Sequence, residues 1–193
     1  MFGFLTGRKK RNRAIADILY KSCIAQTRDP SFYTNLGVPD TLDGRFEILC
    51  LHVVLLIERL KQCSEDRTDL EQALFDAMFY DVEDNLRELG IGDLGVPKHM
   101  KKMMQGFNGR AIHYDKALKD DTDAQMYDAL KRNVYGTLEE EDIDPQWLEI
   151  LSDYVRHCHY ALIQQDDVAV ENGHIQFSSL PPTDTKNETR QSA

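Results

Sequence analysis

LRELGIGDLGVPKHMKKM, residues 86–103, decides how this chain folds. Three glycines (Gly90, Gly92, Gly95) fall within six residues, Asp93 lies among them, and Pro97 opens a lysine-rich run. A phosphate-cradling loop of the dinucleotide type must follow a strand. Here the preceding residues are helical: Leu70, Leu74, Met78, Val82, Leu86 and Leu89 recur at helical spacing across 69–89. Gly90 stands where a helix end needs a left-handed residue. Pro97 suits a first helical position, because its missing N–H would be unpaired there anyway. The segment reads as a corner between two helices, with an anion at the second helix start as the alternative.

Working outward, the same periodicity predicts a helix from Arg13 to Thr27, ended by Asp29-Pro30, and a turn-rich connector through Gly37, Pro39 and Asp43-Gly44. Residues 45–61 are apolar nearly all round and should form a central helix. Beyond the corner, Pro97–Leu118 carries a stripe from Met100 through Phe107 to Tyr114. A fifth helix covers Asp123–Tyr135, with Gly136 as its terminating residue, and Asp144-Pro145 caps a sixth reaching Leu162. The expected fold class is all-α: a single-domain bundle of about six helices. Residues 168–177, VAVENGHIQF, alternate around Asn172-Gly173, a pattern that admits a short C-terminal β-hairpin. Residues 1–12 are expected as a flexible basic head, 13–178 as the helical domain and 179–193 as a disordered tail.

The 193 residues carry a formal net charge of -10, which disfavours DNA binding by the body as a whole. The charge is uneven, with seven Lys/Arg against one acid up to Arg28, and sixteen acids against five bases from Asp120 onward. Phe2 and Phe4, followed by Arg8, Lys9, Lys10, Arg11 and Arg13, form a candidate contact for an anionic membrane or ribosomal RNA; a solvated tail is the plainer reading. Four scattered cysteines without a C-x-x-C pair indicate free thiols in a reducing compartment. The apolar run Ile48–Ile57 is about half the length a membrane span requires.

Tests for catalytic chemistry return little. Asp81, Asp84 and Glu88 share a helical face, but their helix holds no Glu-x-x-His motif of the dimetal type, and ion pairing with Arg87 or with Lys98, Lys101 and Lys102 is the simpler role. His157 and His159 flank Cys158 but project about 200° apart on a helix, and Cys50 with His52 fails as a dyad by the same geometry. Arg110 and Tyr114 lie one turn apart, a spacing that a cation–π or hydrogen-bonded pair explains. The chain is expected to be no enzyme and to need no cofactor or metal.

Three segments resemble one family. FYTNLGVPDTLDGRFEILCLHVVLLIERLK, QALFDAMFYDVEDNLRELGIGDLGVPKHMKKM and GFNGRAIHYDKAL are together similar to the ubiquinol–cytochrome c chaperones, assembly factors of the cytochrome bc1 complex, over residues 32–118. The resemblance implies a helical, non-enzymatic protein that binds newly made cytochrome b or another bc1 subunit, with a ribosome or a small partner protein in some members. Its pattern covers Asp76, Phe79, Asp81, Asp84, Arg87, Glu88, Gly90, Gly92, Asp93 and Lys98, then Gly109, Arg110 and Tyr114, serving binding or fold. The lack of a long presequence favours a bacterial, alphaproteobacterial member, cytoplasmic and peripheral to the inner membrane, over the mitochondrial matrix. Met78, Met100, Met103 and Met104 would suit an adaptable apolar surface, although core is the commoner use of such a stripe. A ribosome- or membrane-surface module without client contact, or a carboxylate–metal enzyme, are the competing readings.

Overall fold

The computed structural model describes residues 2–63, 67–120 and 122–181, with side chains from Gly7 onward. The Phe2 and Phe4 side chains and the tail beyond Pro181 lie outside the described residues. Eight α-helices and no strand occur among the described residues. They are α1 (Phe2–Thr27), α2 (Ser31–Thr34), α3 (Leu42–Lys61), α4 (Thr68–Glu88), α5 (Val96–Lys119), α6 (Ala124–Asn133), α7 (Pro145–Ile163) and α8 (Asp167–Glu171), with one 3₁₀ turn at Glu140–Asp142. The six long helices are those the periodicity predicts; α2 and α8 are the short additions. Among the described residues no helix is long and apolar enough to cross a membrane.

α3 is central, as its apolar circumference demands, and packs against α1, α4, α5 and α7. It begins before Arg45 because Thr41 caps it, accepting from the Gly44 N–H. α1 runs parallel to α4 in fixed register: Arg8 meets Asp69 at 3.4 Å and Tyr20 meets Asp81 at 2.8 Å, each pair 61 residues apart. The helix therefore extends well before Arg13, and the basic head expected as flexible is its opening turns. Once Ile15–Cys23 are packed, each added residue extends an existing helix without a new nucleation cost. α4 and α5 are antiparallel about Phe75, Phe79 and Phe107, whose ring centroids lie 4.5–6.1 Å apart.

The carboxyl end corrects the hairpin expectation. Val168–Val170 lie in α8, which Asp166 caps by accepting from the Ala169 N–H. Gly173 (φ +85°) ends it in a Schellman pair: His174 N donates to Ala169 O at 2.9 Å and Gly173 N to Val170 O at 3.0 Å. An Asn-Gly pair serves a helix end as well as a hairpin turn. Arginines distant in sequence decide between them here: Arg59 binds Asp167 at 2.6 Å, and Arg67 pairs with Glu171. Gly136 is also corrected. It is not a left-handed terminator; a side chain there would meet the Arg132 carbonyl oxygen at 2.3 Å.

Candidate functional site

The α4–α5 corner is built as its glycines require. Gly90 takes φ +82°, its N–H bonds Arg87 O at 2.9 Å, and Ile91 N–H reaches Leu86 O at 3.1 Å. Gly95 N–H then closes on Gly92 O at 2.7 Å, and α5 starts at Val96-Pro97. Beneath the bend a separate small core forms from Val82, Leu86 and Val96, with Phe46, Ile91, Met100 and Met103 packed against it. The corner is therefore anchored, not loose. Of the four methionines only Met104 is exposed; Met78 is fully buried, so most of the stripe is core.

The family-pattern residues separate into two groups. Phe79 is core, and Asp81 accepts the Tyr20 hydroxyl. Asp76 is half-buried and accepts from Gln72 at 2.8 Å. Arg110 does not pair with Tyr114. It forms a two-pronged ion pair with Glu47 of α3, Nε to Oε2 at 2.5 Å, and its guanidinium lies over the Phe46 ring at 5.9 Å. Tyr114 is fully buried one turn on, and burial raises its pKa. Gly106 makes room for this arrangement: a side chain there would meet the Arg110 guanidinium at 2.5 Å. Nothing near Gly109 demands a glycine.

The second group faces solvent around the corner. Asp84, Arg87, Glu88, Gly90, Gly92, Asp93 and Lys98 are all exposed, as are Leu89 and, almost completely at 98%, Leu94. Arg87 joins them electrostatically, meeting Glu83 at 2.6 Å, Asp84 at 3.8 Å and Asp93 at 4.0 Å. Of Asp81, Asp84 and Glu88, it is Asp84 that pairs with Arg87, and among the described residues none of the three meets an α5 lysine. Among the described residues no group of three or more His, Cys, Asp or Glu is placed to hold a metal ion. At the amino end, Lys9, Lys10, Arg11 and Arg13 are exposed beside Arg8.

Three supports were not anticipated from sequence. Glu47 and Arg59 are charges inside an apolar helix, and such residues require partners. Arg59, only 2% exposed, gathers Leu162 O, Gln165 O and Asp167 at 2.6–2.7 Å, holding the end of α7 to α8. His52 is wholly buried. Its Nδ1 lies 2.7 Å from Ile48 O, which can only accept, so Nδ1 carries the proton and Nε2 accepts from the Tyr154 hydroxyl at 2.7 Å. Burial lowers the His52 pKa to about 4.

This scaffold is an all-helical body with a charged, leucine-tipped corner between α4 and α5. The sequence profile described as ubiquinol-cytochrome C chaperone matches residues 34–177, and the chain belongs to that family. It is 30% identical over 138 residues to the mouse ubiquinol-cytochrome c reductase complex assembly factor 1, covering 72% of this chain and 45% of that protein. The Xenopus laevis counterpart is 29% identical over 138 residues, covering 72% and 67%. The chain thus spans a little under half of the mouse relative. Among solved structures, the Cbp3 homolog from Brucella abortus superposes with a TM-score of 0.77 at 38% identity, covering 93% of this chain and 98% of that one.

Proposed function

We propose that this chain is a non-enzymatic assembly factor of the cytochrome bc1 complex that holds newly made cytochrome b and presents the α4–α5 corner to it. The observation that carries this reading is the family match across residues 34–177, from α2 to the segment after α8. The geometry supports the choice of surface. Asp84, Arg87, Glu88, Asp93 and Lys98 surround Leu89 and Leu94 without serving the core, whereas Asp81 and Arg110 of the pattern have partners on other helices of the fold. Apolar tips rimmed by both signs of charge suit a polypeptide whose apolar segments alternate with charged loops. A small core under the bend keeps those tips in place. The exposed cations at the start of α1 would hold the protein near anionic lipid, each worth about 1 kcal/mol close to the surface. Release follows from competition by the assembling complex.

The test is a photo-crosslinking amino acid placed at Leu94 or, as control, at exposed Tyr160 on α7. Adducts with cytochrome b from position 94 and not from 160 are the expected result; equal adducts from both remove the corner from the account. The basic start of α1 favours a second reading, a ribosome- or membrane-surface module without a client. Salt-sensitive co-sedimentation with ribosomes that is lost on deleting residues 1–13, with bc1 levels unchanged, would establish it.

A further inference from the structure

Residues 174–181, which follow α8, have no regular structure and lie across α1, α3 and α7. No main-chain-to-main-chain hydrogen bond among the described residues involves 175–181. Side chains of the helices read this segment instead. Gln165 grips residue 176 from both sides: its amide nitrogen donates to Gln176 O at 2.7 Å, and its amide oxygen accepts the Gln176 N–H at 2.9 Å. Gln26 donates to Ser178 O at 3.1 Å while also donating to the Tyr154 hydroxyl at 3.0 Å. Between these two grips Phe177 sets its ring edge-on against His52, centroids 5.0 Å apart at 85°. Ile175, Phe177 and Leu180 are each only partly buried on the core.

This is how a peptide-binding groove holds an extended ligand: polar side chains satisfy the main chain and one aromatic anchor fills a pocket. The groove floor is neutral, made of His52 in its uncharged form with Tyr154, Phe32 and Cys158. Lifting the segment leaves Gln26 and Gln165 facing water, which can satisfy both. Opening it therefore breaks no helix and costs mainly the partial burial of three apolar side chains.

We propose that the α1–α3–α7 groove is a binding site for an extended, uncharged polypeptide segment of a partner protein carrying an aromatic residue, and that residues 174–181 are its internal, displaceable occupant. The tethered occupant competes at high effective concentration, so a partner segment gains access in proportion to the fraction of open strap. The site is separate from the α4–α5 corner, and its existence does not depend on which complex the protein helps assemble.

The test uses full-length wild-type protein and Phe177→Ala, with a fluorescent peptide of sequence HIQFSSL and a control peptide in which serine replaces the phenylalanine. Removing the internal anchor should raise the affinity for HIQFSSL by about tenfold or more over wild type, with no binding of the control. A folded Phe177→Ala protein that binds neither peptide overturns the proposal. Should that variant not fold, hydrogen exchange on the wild type decides. The Gln176 N–H, which the Gln165 side chain holds, exchanging far faster than the amides of α3 and α7 supports a detachable strap, and exchange at the rate of the α3 core overturns it. Because no bc1 component enters either measurement, failure here leaves the assembly-factor reading untouched.

Discussion

The Tyr20 hydroxyl donates to the Asp81 carboxylate at 2.8 Å, and this bond fixes α1 alongside α4 about two helical turns before the corner. Asp81 is half-buried and shares its remaining capacity with Asn85 at 3.3 Å. Burial, then the neighbouring carboxylate, raises the Tyr20 pKa, so the hydroxyl stays a donor throughout the working pH range. Tyr20→Phe leaves the ring packed and removes only the bond. A loss of about 1–2 kcal/mol is expected in urea unfolding, because the acceptor remains partly buried without its donor. A double-mutant cycle with Asp81→Asn should return coupling; strict additivity would show the bond is idle.

Glu47 and Arg110 form the ion pair that ties α3 to α5 behind the corner. Both side chains are mostly buried, so losing one partner strands the other. Arg110→Ala is expected to cost about 3–5 kcal/mol, and replacing both residues with apolar ones of similar volume should recover much of it. Thermal unfolding of the single and double variants checks this. If the double variant is as damaged as Arg110→Ala, packing of the arginine stem over Phe46 matters more than charge.

His52 gives the fold an acid-sensitive element. Its pKa in the folded protein is about 4, against 6.5 for an unburied histidine. Between these values the unfolded chain binds the proton and the folded chain does not. Stability from this group is therefore complete above about pH 6.5 and is lost as pH falls toward 4, by on the order of 3 kcal/mol in total. Protonation would also turn Nε2 from acceptor into donor, facing the Tyr154 hydroxyl that now donates to it. Urea unfolding at pH 7, 6, 5 and 4 should show a steeper decline for wild type than for His52→Gln. Parallel declines would assign the acid sensitivity elsewhere.

At the bend, Gly90 and Gly92 should respond differently. Gly90 is left-handed at φ +82° with nothing nearby to clash, so Gly90→Ala carries only the backbone penalty, about 1–2 kcal/mol. Gly92 has neither a positive φ nor a close neighbour, and Gly92→Ala should be nearly neutral. Equal damage from both in thermal unfolding would contradict the left-handed helix end at Gly90.

The corner was legible because each signal in it is local: a helical stripe, a glycine, then a proline at the next helix start. The six long helices were legible for the same reason. The end of the chain was not, since Asn172-Gly173 ends a helix or turns a hairpin equally well, and Arg59 and Arg67 lie roughly a hundred residues away. Tyr20–Asp81 and Glu47–Arg110 are likewise pairings across 61 and 63 residues that no spacing rule connects. Glu47 did leave a trace, as a lone acid entering an apolar run. It reads as a boundary from sequence but is an interior charge awaiting its arginine. For the pattern residues, one sequence could not separate the inward-facing Asp81 from the exposed Asp84; only the packing of α1 against α4 does so.

The most direct measurement is the amount of mature cytochrome b, read from the haem b absorbance of membranes, in a strain lacking this gene and in the same strain complemented with wild type or with Leu89→Ser/Leu94→Ser. Both leucines are exposed, so the double variant should accumulate as a folded protein. Severe loss of cytochrome b in the deletion, rescue by wild type and failure of rescue by the corner variant are predicted. Normal cytochrome b in the deletion strain would contradict the assembly role itself.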